Sequence, residues 1–489
     1  MNAFARSALP VINVLGYVVM IFAATMVVPL MFALVGGDKA LRDYDIAVLV
    51  TAGSGLMLVL LTRRYRRELQ PRDGFLLVTL VWTVLPAFAT LPLMFHLPGL
   101  SFTYAYFETM SGLTTTGATV ISGLDELPLS INVWRHLLVW IGGMGILVLV
   151  VAILPLLGVG GSQLFKAETA GPIKEAKLTP RIADTAKALY AMYFGISIAC
   201  FFAYRWAGMT WSDAFLHMCS TMGLGGFSSH DASFAYWNSP VIEYTAVFFM
   251  VLAGFNFSMH FLAWRKRSLT VYLHDPESKA YVFTLVVACV AVGVFLLWRE
   301  VYPDWETSFR YAVFNVVSIA TTTGYASTDY AQWPSFAPIL MLFLCAFATC
   351  AGSTGGGIKM VRGLILLKQA LREMSRIVHP RAVNPIMLGE QAIENKVIFA
   401  VLAFMLVYGA ALTSLTFLMM LLGLDAITAF TAIVACLNNT GPGLNVVGPA
   451  SNYGTLGPLQ IWTCTFAMLI GRLELFTVLI LFTPMFWRR

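Results

Sequence analysis

The chain is dominated by long stretches that contain no charge. Residues 11–35, 137–165, 244–264, 280–298, 330–358 and 397–424 each match or exceed the ~18–20 residues needed to cross the hydrocarbon core of a bilayer. Residues 46–62 and 188–204 are shorter and suffice if their ends snorkel to the interface. Residues 74–107 and 426–471 are too long for one crossing and hold Pro and Gly interruptions, so each must contain a span plus a second element. Of all residues, 58% are hydrophobic and 11% charged, against about 25% charged in ordinary soluble domains. That excludes a disordered chain and leaves too little charge to cover the surface expected of a soluble one of this size. Residues 11–35 are too long for a signal-peptide core and no small-residue cleavage site follows, so no cleavable leader is expected. The seven cysteines are scattered through apolar runs without metal-ligand spacing and read as buried, reduced thiols.

Basic residues fall into two sets of loops. One carries Arg63, Arg64, Arg66, Arg67 and Arg72, then Lys166, Lys174, Lys177, Arg181 and Lys187, then Arg265, Lys266, Arg267 and Lys279. It continues with Lys359, Arg362, Lys368, Arg372, Arg376, Arg381 and Lys396, and with Arg6, Arg488 and Arg489 at the ends. The other set holds Lys39, Arg42, Arg135, Arg205, Arg299 and Arg310. The positive-inside rule makes the first set cytoplasmic and puts both termini inside. The formal net charge of +6 thereby splits into a strongly positive inner face and a negative outer one, which would concentrate cations outside.

A pattern recurs about every hundred residues: span, short apolar helix, glycine-containing polar turn, span. The turns are TTTGAT at 114–119, GLGGFSS at 223–229, TTTGYAS at 321–327 and NNTGPG at 438–443, centred on Gly117, Gly226, Gly324 and Gly441. The helical segments before them are 103–113, 211–222, 307–320 and 426–437, and every turn lies on the outer side. A segment that enters and leaves by the same side has irregular backbone, which must line a protein-walled cavity because its unpaired groups cannot face lipid. Glycine tolerates left-handed angles, so carbonyls can turn toward a common axis. The short helices aim their negative ends inward, which favours a cation. A ring of carbonyl oxygens, helped by Thr hydroxyls, suits a weakly held monovalent ion, whereas a tightly held divalent ion would call for carboxylates. One such turn alone would read as a helix C-terminus closed by glycine; four on one side do not. The candidate ligands are Thr115, Thr116 and Gly117; Leu224, Gly225 and Gly226; Thr322, Thr323 and Gly324; and Asn439, Thr440 and Gly441.

TTTGAT, the segment GGFSSHDAS at 225–233, TTTGYAS and GPG resemble the filters of the Trk/Ktr/HKT superfamily of cation transporters. Two additional N-terminal spans and GRLELFT at 471–477 are similar to its Trk branch of potassium-uptake proteins. The resemblance covers essentially the whole chain. It implies an all-α polytopic protein of the bacterial inner membrane, with two N-terminal helices (1–73) and four M1–P–M2 pore units (74–157, 158–264, 265–370, 371–489) around one pore. It also implies potassium as the transported ion, a homodimer, and a cytosolic TrkA-type nucleotide-binding regulatory partner. No organic cofactor, enzyme activity or nucleic-acid partner is expected. Only one glycine recurs in all four turns, which favours a single tight site. In plant members, serine at the first-repeat glycine is associated with sodium transport, so Gly117 favours potassium.

Two features lie below the turns. In residues 348–362, ATCAGSTGGGIKMVR, the glycines and Ser/Thr break any helix, at about 1 kcal/mol per Gly relative to Ala. No P-loop is present, because Ile358 separates Gly357 from Lys359 and no strand precedes. The segment reads as a flexible intramembrane loop of Gly352, Ser353, Thr354, Gly355, Gly356, Gly357 and Lys359, or as a packing kink. The second feature is Arg472 in the last span, whose insertion costs at least ~2.5 kcal/mol unless it faces a cavity or a partner. Glu474, two residues on, points to a different helix face. Arg472 is either a gating charge beside the loop, as the resemblance implies, or half of a buried ion pair. The basic segments 162–187 and 359–396 are candidate docking surfaces for the regulator, or simply mark topology and anionic lipid contact. A proton- or sodium-coupled symporter would need an acidic relay, for which Glu108 and Glu474 are the candidates. A polytopic enzyme would need convergent His, Asp or Cys groups, and none is found.

Overall fold

The computed structural model describes residues 3–67, 69–148 and 182–487. The end of the first pore unit, the start of the second and most of the candidate docking segment 162–187 lie outside the described residues.

Helices α1 (Ala3–Thr25) and α2 (Val27–Gly36) form one crossing and α3 (Leu41–Thr62) the next. Then come α4 (Pro71–His96), α5 (Phe102–Leu113) and α6 (Leu129–Val148). They are followed by α7 (Ile182–Ala207), α8 (Trp211–Gly223), α9 (Pro240–Gly254) and α10 (Phe257–Lys266). After α11 (Thr270–His274), a third group comprises α12 (Pro276–Trp298), α13 (Trp305–Ala320), α14 (Phe336–Phe347) and α15 (Met360–Val378). A two-stranded hairpin, Met387–Leu388 with Gln391–Ala392, precedes α16 (Asn395–Leu421), α17 (Ala426–Leu437), α18 (Pro458–Arg472) and α19 (Leu475–Leu479). Long helix, short helix, turn and returning helix thus occur four times, and the long runs 74–107 and 426–471 resolve into α4 with α5 and α17 with α18.

The starts of the short helices have a local cause. Thr210, Asp304 and Asp425 cap α8, α13 and α17 by accepting from the backbone N–H three residues on, and Ser101 precedes α5. Proline occupies the first turn of α4, α9, α12 and α18, where its missing N–H costs nothing. All seven cysteines are buried and unpaired.

Glycine sets how closely the returning helices approach. A Cβ on Gly142 of α6 would overlap the carbonyl of Leu113, the last residue of α5. A Cβ on Gly471 of α18 would overlap the carbonyl of Leu437, the last residue of α17. The first and fourth groups therefore use the same close contact.

Residues 244–264 do not form one straight span. The chain bends by 93° between α9 and α10, at Phe255 and Asn256, where the Asn256 side chain accepts from Ser258 N–H and starts a new helix. A second bend, of 111°, follows Arg472, so this residue ends α18 rather than lying mid-helix. With the break in 348–359, three returning helices are interrupted among the described residues.

Gly142→Ala and Gly471→Ala should each lower the thermal midpoint in detergent, equivalent to ~1–3 kcal/mol of overpacking. Gly195→Ala, where an added methyl meets nothing within 4 Å, should not lower it.

Candidate functional site

Each short helix ends in the same way. Thr115, Leu224, Thr322 and Asn439 have φ of 53°, 53°, 60° and 54°, in the left-handed region. Their N–H groups donate to the carbonyls of Gly112, Thr221, Ile319 and Cys436. The next residues, Thr116, Gly225, Thr323 and Thr440, donate back to Ser111, Ser220, Ser318 and Ala435. This is the Schellman pattern of a helix C-terminus. Its left-handed residue is not glycine in any copy, so the conserved geometry is enforced from outside the turn. The glycine two positions later is left-handed at Gly117, Gly324 and Gly441, with φ of 81°, 90° and 94°. Gly226 departs from the expectation: it lacks a positive φ and donates its N–H to the Thr323 carbonyl at 2.6 Å.

The glycines close a ring. A Cβ on Gly117 would lie 2.9 Å from Gly226 N, and one on Gly226 would overlap the Thr323 carbonyl. One on Gly324 would overlap the Thr440 carbonyl, and one on Gly441 would lie 2.6 Å from the Thr116 carbonyl. Each turn abuts the next, in the order first, second, third, fourth and back to the first. All four glycines form the floor of a vestibule of about 80 Å³.

A side chain on each short helix braces the strand that leaves its turn. Glu108 accepts from Thr119 Oγ1 at 3.0 Å and Val120 N at 2.9 Å. His217 Nε2 meets Ser228 Oγ at 3.0 Å. Asn315 holds Ser327 through Nδ2 to Oγ at 3.0 Å and through Ser327 N to Oδ1 at 3.3 Å. Thr431 Oγ1 accepts from Leu444 N at 3.0 Å. Glu108, His217 and Asn315 each precede their glycine by the same nine positions; Thr431 stands one residue further back. Sequence reading missed these braces because one is an acid, one an imidazole, one an amide and one a hydroxyl. Glu108 is neutralised by Arg135, at 2.8 Å with both side chains 1% exposed, and Arg135 also lies 4.5 Å over the Phe227 ring of the second turn.

The threonine hydroxyls are oriented. Thr114 Oγ1 donates to the Met110 carbonyl at 2.7 Å, so Thr116 must be the donor in their 2.8 Å contact. Thr321 donates to Val317 and leaves Thr323 in the same role. Thr116 and Thr323 therefore keep oxygen lone pairs for another partner. Asn439 Nδ2 donates to Thr116 Oγ1 at 3.0 Å, which ties the fourth turn to the first. Thr115 Oγ1 is buried and has no hydrogen-bond partner among the described residues, a cost relieved when water or an ion reaches it.

Directly beneath lies the loop of residues 348–359. It is largely buried and hydrogen-bonded to its surroundings. Gly356 N–H donates to Thr322 Oγ1 at 2.8 Å, Thr354 Oγ1 donates to the Met222 carbonyl at 2.9 Å, and a Cβ on Gly356 would overlap the Asn438 carbonyl. Cys350 N and Thr354 N donate to Gly254 and Ala253, and Phe257 N donates to Gly352, so the loop sits against the α9–α10 bend. Glu277 of α12 accepts from Ala351 N at 2.8 Å and Val361 N at 3.1 Å. Gly352 and Gly357 have φ of 71° and 81°, and Lys359, at 82°, turns its ammonium back onto the Gly355 carbonyl. Arg472 is 3% exposed; its guanidinium donates to the Thr354 carbonyl at 2.9 Å and the Gly142 carbonyl at 3.4 Å. No acid pairs with it among the described residues. Glu474 instead binds Arg362 through both oxygens, at 2.9 and 2.8 Å, and Arg362 stacks 4.3 Å over Phe404. Arg362, at 1% exposure, is a buried structural charge rather than part of a solvated basic face.

The profile of the TrkH family, described as a cation transport protein, matches residues 45–489. The chain belongs to the TrkH family. It is 45% identical to the Trk system potassium uptake protein TrkH of Halomonas elongata over 484 residues, covering 98% of this chain and 99% of that one. It is also 45% identical to TrkH of Escherichia coli K12 over 480 residues, covering 97% and 98%. The crystal structure of the potassium transporter TrkH from Vibrio parahaemolyticus superposes with a TM-score of 0.90 at 42% identity over 99% of both chains. The TrkH-family architecture is thus an all-α membrane protein with four pseudo-symmetric pore units and no enzyme activity.

At the rim of the vestibule, outside the spanning helices, His230 bridges two acids. Nδ1 pairs with Asp125, Nε2 lies 3.4 Å from Asp213, and the ring stacks on Tyr236 at 3.5 Å. Burial pulls the imidazolium down, but Asp213 and Asp125 outweigh it and raise it above its ordinary value. The bridge is therefore complete below the unfolded value of ~6.5 and weakens as pH rises through the folded one. Thermal midpoints of wild type should fall relative to those of His230→Gln as pH is raised from ~6 to ~9; parallel curves would remove the bridge from the stability of the rim.

Proposed function

We propose that this chain takes potassium ions into the cell through a pore on the axis of the four turns. The observation that carries this reading is the cyclic abutment of Gly117, Gly226, Gly324 and Gly441 at the floor of one vestibule. Backbone and hydroxyl oxygens from Thr115, Thr116, Leu224, Gly225, Thr322, Thr323, Asn439 and Thr440 surround the same axis and can replace the hydration shell of a monovalent ion. Inward movement gains ~2.3 kcal/mol per charge per 100 mV, so the chain needs no chemical energy source of its own.

The loop 348–359 and Arg472 act as the gate. The loop occupies the space under the turns, and Arg472 holds it from the fourth unit while adding a positive charge to the path. Because the loop contacts all of the second, third and fourth units, displacing it requires those bonds to break together. The chain divides into two N-terminal helices and four pore units, sits with its termini and basic loops in the cytoplasm, and works as a homodimer. A cytosolic TrkA-type nucleotide-binding regulator docks on the basic face. Helix α15 supports that assignment with exposed Leu367, Leu371 and Met374 along one stripe. Symport coupled to protons or sodium finds less support, since Glu108 and Glu474 are both held in ion pairs with Arg135 and Arg362.

Two liposome measurements test the reading. Gly117→Ser, whose side chain would press on Gly226 from a left-handed backbone, should lower the K⁺/Na⁺ flux ratio by about tenfold, or ~1.4 kcal/mol of discrimination; an unaltered ratio would displace Gly117 from the filter. Arg472→Ala should raise basal rubidium flux by about tenfold, and unchanged flux would remove Arg472 from the gate.

A further inference from the structure

The returning helix of one unit meets the short helix of the next at four equivalent junctions. Three are closely packed: α6 with α8, α9 with α13, and α18 with α5. The fourth, between α14 and α17, is sparse, and a cavity of about 680 Å³ opens there. Helix α16 closes its far side with Met405, Tyr408 and Leu412.

The chemistry of this cavity is one-sided. Its walls are chiefly Ile339, Phe343, Phe347, Ile358, Leu412 and Phe430. The polar groups away from its exposed mouth are matched: Tyr408 donates to Asn438 Oδ1 at 3.0 Å, Asn438 Nδ2 to the Val434 carbonyl at 2.9 Å, and Thr431 to Ile427 at 2.8 Å. Water or an ion would gain little there, so the occupant is apolar. Ile339, Phe343 and Phe430 are exposed at 59%, 64% and 48% on its rim, which in a membrane-spanning chain faces hydrocarbon. The cavity runs along α14, whose twelve residues span ~18 Å at 1.5 Å per residue. One leaflet of a bilayer is ~15 Å of hydrocarbon. At its deep end stands Ile358 of the intramembrane loop, whose N–H donates to the Ala346 carbonyl at 2.6 Å.

We propose that this junction binds one acyl chain of a bilayer lipid, inserted between α14, α16 and α17 with its methyl end against Ile358. The chain fills the packing that the other three junctions supply with protein. It also supports the loop from the lipid side and backs Asn438, the first residue of the fourth turn. The inference rests on membrane insertion alone and stands apart from ion selectivity.

The test uses the full-length protein in liposomes containing a phospholipid with a diazirine near the end of its acyl chain. After photolysis, adducts should be more abundant on peptides of α14 and α17 than on the outward face of α12, where Phe283, Val286 and Val290 are equally exposed. Leu412→Trp, whose indole would intrude on the path of the chain, should lower adducts on α14 and α17 by about tenfold. Labelling of α14 and α17 no greater than that of α12 would overturn the proposal, as would labelling indifferent to Leu412→Trp. The comparison between helices in the wild type decides the matter even if the variant does not fold.

Discussion

Irregular backbone in the middle of a membrane has to find all of its partners within the protein, and every notable feature of this chain answers that demand. Four turns leave the helical path at the same depth. Each is closed behind by a helix C-terminus, sideways by the neighbouring turn, and above by a side chain reaching from its own short helix. Removing Glu108, Asn315 or Thr431 would leave a backbone N–H without its partner. The same condition governs the broken returning helices: the ends freed at 255–256 pair with the backbone of 348–359, and the Arg472 side chain beside the third break donates to the Thr354 carbonyl, so three interruptions join in one bonded layer.

The charged groups obey a related rule. A buried charge left without its partner costs ~3–5 kcal/mol, and Glu108, Glu243 and Glu474 each have an arginine within 2.6 to 2.8 Å. Arg472, at the C-terminal end of α18, is the exception, held by the carbonyls of Thr354 and Gly142. That end carries the negative pole of the helix, which partly offsets the missing acid. A charge stabilised by dipoles rather than by a carboxylate stays electrostatically active toward a passing cation, consistent with the role proposed for it.

Much of the architecture could be read from the residues. The apolar runs located the helices, and the four helical segments read before the turns lie within two residues of the observed short helices. The turns stood out because glycine was required where one turn touches the next. The braces were hidden because the repeat preserves a position and not a residue type: Glu108, His217, Asn315 and Thr431 share a task with different chemistry. The bends were hidden as well. Asn256 and Glu474 sit in otherwise apolar sequence; Asn256 restarts the helix locally by accepting from Ser258 N–H, but the contacts with Gly352 and Cys350 that hold the first bend open are remote in sequence. The pairing of Glu474 with Arg362, across 112 residues, left no local trace; Glu474 is separated from Arg472 as expected, but by the bend after α18 rather than by spacing along one helix.

The central claim is that the ring of four glycines surrounds the ion. Crystals grown in thallium salts, with anomalous diffraction collected at the thallium edge, would test it most directly. The account predicts a dominant peak on the axis, ringed by the oxygens of residues 115–116, 224–225, 322–323 and 439–440. A thallium ion bound elsewhere, with none inside the ring, would contradict it.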